Sequence, residues 1–122
     1  MAKENIILEK SFSYAVRVTK MYQYLTKEKK EFVLSKQVLR SGTSVGANVE
    51  EAIGGFSKAD FNAKMSIAYK ECRETLYWLR LLKETEYIDD KIFNSMFNEA
   101  EELRKILASI VKTIKETKQK KS

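Results

Sequence analysis

Residues 39–55 read LRSGTSVGANVEEAIGG, and this stretch holds all four glycines of a chain that contains no proline. A glycine inside a helix costs roughly 1 kcal/mol relative to alanine, so Gly42 and Gly46 together give up about 2 kcal/mol unless packing offsets it. Their spacing puts both on one helical face next to Thr43 and Ala47, a surface small enough for a neighbouring backbone to come close. Gly42 and Gly46 are therefore read as interior to a helix, and Gly54 and Gly55 as its stop. The approaching neighbour can belong to the same subunit or to another. GTSVG does not fit a phosphate-binding loop. Ala47 and Asn48 stand where that motif needs lysine and a hydroxyl residue, and no strand precedes it.

Helical periodicity continues on both sides of this stretch. Between Asn5 and about Lys27, the positions Leu8, Phe12, Ala15, Thr19 and Tyr22 recur at three and four and predict the buried seam of a first amphipathic helix. The polar run KEKKEF predicts a connection, after which Ser35 is placed to cap a second helix through Val38, Val45, Val49, Ala52 and Ile53. Ser57, with Asp60 three positions on, resembles a capping box opening a third helix with the seam Phe61, Met65, Ala68, Cys72, Leu76, Leu79 and Leu82. Asp89 or Asp90 caps a fourth, whose Phe93, Met96, Ala100, Leu103, Leu107, Ile110 and Ile114 alternate by three and four without a miss.

That regular spacing favours small-angle packing, and short connections make successive helices antiparallel neighbours. The expected fold is all-α, an antiparallel up-down-up-down four-helix bundle. It forms one domain over residues 1–122, with a basic, frayed tail at 115–122.

With 43% hydrophobic residues and 33% charged, the composition suits a packed, solvated globule rather than a disordered chain. The absence of a long apolar run or a signal-peptide core leads us to expect a cytoplasmic protein without a membrane partner. Cys72 is the one cysteine and there is no histidine, which argues against an internal disulfide or a zinc site and makes Cys72 a small core residue. Net charge is +6, and residues 112–122 supply four of those charges, with five lysines against one glutamate. This segment is either a helix end whose lysines complement the macrodipole or an arm that contacts nucleic acid or another anion.

The run LRSGTSVGANVEEAIGGFSKADFNAKMSIAYKECRETLYWL, spanning residues 39–79, resembles the signature of the proteins named after intervening sequences of 23S ribosomal RNA. Its most diagnostic part is the block Arg40-Ser41-Gly42-Thr43-Ser44 with Gly46-Ala47-Asn48 and Glu50-Glu51-Ala52. The resemblance implies a four-helix bundle assembled as a ring-like homopentamer, with a role in binding RNA or DNA. The accessory variability proteins of diversity-generating retroelements share that fold and resemble the chain less closely. For them the implied role is to bind nucleic acid and to associate with a reverse transcriptase.

The side-chain inventory argues against an enzyme. There is no histidine to act as a base near neutral pH, no serine or cysteine has an activating partner, and Glu71 with Glu74 sits among Lys70 and Arg73 as on an ordinary surface. No cofactor or metal is expected. On the first helix, Lys10, Tyr14, Arg17, Met21 and Tyr24 form a second stripe in which basic and aromatic residues alternate. The cations suit phosphates and the tyrosines suit bases, while Tyr14, Met21 and Tyr24 also suit a subunit interface.

Arg40 is read as an ion pair with a glutamate across a helix or subunit contact, ahead of a phosphate contact. Trp78, Tyr77 and Tyr69 are read as core and rim aromatics. Phosphate contacts are expected at Lys10, Arg17, Lys20, Lys105, Lys112, Lys115 and Lys118. Self-assembly is expected at Arg40, Gly42, Thr43, Gly46, Tyr14, Met21 and Tyr24, because the second helix has more apolar girth than one bundle face buries. The function expected is a non-enzymatic homo-oligomer that binds RNA or DNA through backbone charge. The alternative is a self-assembling adaptor for a protein partner.

Overall fold

Every segment with a three-four apolar period forms a helix. The computed structural model describes residues 2–121, with side chains from 5 to 120, as α1 (Ala2–Lys27), α2 (Leu34–Ile53), α3 (Lys58–Glu84) and α4 (Asp90–Lys121). Contacts between helices fix the topology. Gly42 lies against Val18 and Gly46 against Ser11; Ser41 meets Thr75 and Glu51 meets Lys64; Cys72 meets Ala100 and Lys83 meets Asp90; Lys10 meets Glu102 and Arg17 meets Ser95. In each pair one number rises as the other falls, so all four neighbouring contacts are antiparallel. Among the described residues α1 touches only α2 and α4, and α3 likewise, which is the square cross-section of an up-down-up-down bundle.

The seams expected on α3 and α4 are the buried ones: Met65, Ala68, Cys72, Leu76, Leu79 and Leu82 face Met96, Ala100, Leu103, Leu107 and Ile110 across the core. Burial pushes the Cys72 thiol up to about 12, and the thiol donates to the Ala100 carbonyl at 3.3 Å.

The seam expected on α1 is corrected. The buried face is Ile7, Ser11, Tyr14, Val18, Met21 and Leu25, while Phe12 is 66% exposed and Thr19 lies outside. Both faces of α1 carry an apolar three-four repeat, and periodicity alone cannot say which one a bundle covers.

Helix ends follow local chemistry. Asp89 caps α4 by accepting the Ile92 amide at 2.8 Å, and Ser57 caps α3 by accepting that of Asp60 at 3.0 Å. Gly54 ends α2 with φ −85° and ψ 0°. The start of α2 is a second correction, since its cap is Glu31 rather than Ser35. The Glu31 carboxylate reaches forward to the amides of Val33 and Ser35, at 3.1 and 2.7 Å, while the Ser35 hydroxyl donates back to the Glu31 carbonyl. Burial of Glu31 opposes its charge, yet hydrogen bonds from the Ser35, Leu34 and Val33 amides hold its carboxyl below the usual range. The basic segment read as a frayed tail continues α4 as helix to Lys121, and Ser122 lies outside the described residues.

Candidate nucleic-acid interface

Two of the expected phosphate contacts are already engaged within the chain. Lys10 holds Glu102 at 2.8 Å, and Arg17 pairs with Glu99 and donates to Ser95 at 2.8 Å. They close a polar cleft between α1 and α4. Lys10 lowers the Glu102 carboxyl below its ordinary value by direct hydrogen bonding. The basic and aromatic stripe of α1 is thus not an open surface. Tyr14 is 1% exposed and Met21 6%, both in the chain's own core, which removes them from any subunit interface. Tyr14 donates to the Met96 carbonyl at 3.0 Å, and its desolvated phenol is held far above its usual titration range. Tyr24 is half-buried, with the Lys29 ammonium 6.0 Å from its ring centre.

The glycine face is also resolved. A Cβ on Gly46 would stand 3.2 Å from the Ser11 carbonyl oxygen, and one on Gly42 would stand 2.8 Å from both Val18 methyls. Gly42 and Gly46 therefore admit α1 of the same chain, a correction of their assignment to a contact between subunits. Arg40 forms the ion pair expected of it, holding Glu71 at 2.8 Å and also Glu74, both on α3. This contact is again internal. Trp78 donates to the same Glu74 carboxylate at 2.9 Å. Thr43 stays half-exposed on the outer side of α2.

Two of the open surfaces lie on different helices. On α1 and α2, Phe12, Val16 and Ile53 are exposed, and Phe12 emerges where its own backbone passes Gly46. On α4, Lys105, Lys112, Lys115 and Lys118 are exposed, and Lys105, Lys112 and Lys115 make no ion pair among the described residues. Lys20 is exposed on α1.

Sequence reasoning missed a third surface, a trough between α3 and α4 lined by Lys70, Arg73, Tyr77, Arg80, Phe97 and Arg104. The signal was present as Arg73, Tyr77 and Arg80 at spacings of four and three, which a helix gathers into one stripe. Among the described residues no three carboxylate or thiol groups gather as a metal site would require, and no helix is long and apolar enough to cross a membrane.

Comparison with solved structures finds a crystal structure of a protein of unknown function from the S23 ribosomal protein family of Bacteroides thetaiotaomicron VPI-5482. It is 51% identical, superposes with a TM-score of 0.88, and the match covers 90% of this chain and 98% of that one. Comparison with the curated proteins finds no match. The family described as 23S rRNA-intervening sequence protein matches over residues 3–121, and the chain belongs to that family.

Proposed function

We propose that this chain is a cytoplasmic, non-enzymatic homo-oligomer that binds RNA or DNA through its phosphate backbone. The family resemblance implies a ring of five subunits. The observation that carries the reading is the division of the open surface. Phe12, Val16 and Ile53 stand exposed on α1 and α2, whereas Lys105, Lys112 and Lys115 stand exposed on α4 with no ion pair among the described residues. Apolar area left uncovered favours association, and lysines without carboxylate partners favour a polyanion whose counterions they displace. The two surfaces lie on different helices, so a subunit can use both at once.

The test couples mass to binding. Light scattering on the wild type and on Phe12→Lys measures assembly, and titration with labelled structured RNA, single-stranded DNA and duplex DNA at low and near-physiological salt measures binding. We expect an oligomer that Phe12→Lys reduces in mass without unfolding, and an affinity that falls steeply with salt. A monomeric wild type would overturn the assembly reading, and no binding at low salt would overturn the nucleic-acid reading.

The second reading is an adaptor whose partner is a protein. It is favoured by Phe56, which stands fully exposed in the α2–α3 turn beyond the apolar stripe. Loss of partner capture on Phe56→Ser, with nucleic-acid affinity absent in the wild type, is its expected outcome.

A further inference from the structure

Arg73, Tyr77 and Arg80 project from one stripe of α3, all three exposed, over about 10 Å of helix at 1.5 Å per residue. They edge a groove of about 560 Å3. A second groove of about 510 Å3 shares Tyr77, Arg80 and Phe97 with it, so the two run together as one elongated trough. Glu84 lines only the second groove, and the two carboxylates that line the first, beside Arg73, are already occupied. Glu74 is held by Arg40 and Trp78, and Glu101 by Arg104 at 2.9 Å. Lys70, Arg73 and Arg80 therefore face the trough without an ion pair among the described residues. Tyr77 is fixed edge-to-face against Trp78, with ring centres 5.0 Å apart, so little side-chain freedom remains to be lost on binding.

We propose that this trough binds single-stranded nucleic acid, Arg73 and Arg80 contacting phosphates while Tyr77 stacks on a base between them. The proposal deepens the nucleic-acid reading above and rests on it. An elongated site suits a polymer better than a small ligand. Cation, aromatic and cation in succession match the alternation of phosphate and base along an extended strand. An acidic peptide would satisfy the arginines and leave the tyrosine without a stacking partner. A duplex keeps its bases stacked inside and offers Tyr77 nothing.

The test measures fluorescence anisotropy of labelled twelve-residue oligo(U) and oligo(dT), a duplex of equal length and a polyglutamate peptide, using the full chain at low salt. We expect both single strands to bind about tenfold tighter than the duplex or the peptide. Arg73→Ala with Arg80→Ala should weaken single-strand binding about tenfold and flatten its salt dependence. Tyr77→Ala should weaken it about tenfold at unchanged salt dependence, with Tyr77→Phe retaining wild-type affinity. Single-strand affinity that survives these variants but is lost in Lys112→Ala with Lys115→Ala would overturn the trough and leave the function proposed above intact. Polyglutamate binding as tight as oligo(U) would also overturn it. Absence of binding to every nucleic acid would overturn both.

Discussion

Along α1, the seam with α2 and the seam with α4 are built from different materials. Towards α2 the contact is backbone against glycine: Gly46 leaves room for the Ser11 carbonyl and Gly42 for the Val18 methyls. No ion pair crosses that seam among the described residues. Towards α4 the helices are spanned by side chains, Lys10 to Glu102, Arg17 to Glu99 and Ser95, and Tyr14 to the Met96 carbonyl. A close seam excludes water and depends on shape, whereas a spanned seam tolerates small displacements because long side chains follow them. Substitutions towards α2 should thus cost more than substitutions towards α4, although the latter delete visible bonds.

The largest effect is expected at Gly46. Leucine there drives a side chain into the Ser11 backbone, which has no rotamer with which to retreat, and should cost about 3 kcal/mol in urea unfolding. A cost below that of Tyr14→Phe would break the comparison. Gly42→Ala should come next, at about 2 kcal/mol, because alanine's better helix propensity cannot offset a methyl 2.8 Å from both branches of a buried valine. The clash has one named partner, so it can be relieved. In a Val18→Ala background the penalty of Gly42→Ala should shrink, giving a coupling of about 1 to 2 kcal/mol in a double-mutant cycle. Strict additivity would mean that Val18 is not what Gly42 accommodates.

On the α4 side, Tyr14→Phe deletes a buried hydrogen bond at nearly constant volume and should cost about 1 kcal/mol by the same measurement. A comparable loss is expected for Glu31→Gln, at the corner where α1 hands over to α2. Here the sign with pH is fixed. The folded carboxyl titrates below its ordinary 4.5, so its contribution is present above that value and fades as acid takes the pH down through the folded one. Stability curves of wild type and Glu31→Gln should converge at low pH, and a constant gap would assign the loss to packing.

These residues also show how much could be read beforehand. The bundle, its helix order and two of its caps followed from apolar period and turn chemistry, because α3 and α4 each have a single apolar face. On α1 two apolar stripes compete, and only the neighbours decide that Tyr14 and Met21 go inside while Phe12 stays out. Ser35 has the composition of a cap, but α2 begins one residue before it and a glutamate four residues earlier takes the amides of Val33 and Ser35, which depends on a bend at 28–33 that no propensity encodes. Gly42 and Gly46 announced a close approach correctly and left its owner open, since shape complementarity is the same within a chain as between chains. Among the site candidates, Lys10 and Arg17 stand in internal ion pairs that no sequence pattern announces: a sequence shows a cation but not the glutamate 80 or more positions away that pairs with it.

The smallest effect is expected at an ion pair of the α4 seam. Arg17→Met with Glu99→Gln removes the ion pair and its link to Ser95, yet should change unfolding free energy by no more than about 0.5 kcal/mol. Both groups keep part of their surface in water, at 39% and 28% side-chain exposure, so solvent screens the attraction that the substitutions remove. The pair nevertheless joins α4 to α1 near Ser95. Its removal should raise amide exchange around Ser95 and Glu99 while leaving that around Gly46 at wild-type protection. Exchange that rises equally at Gly46 would show the two seams opening as one unit, and the contrast between backbone-close and side-chain-spanned packing would then carry no independent stability.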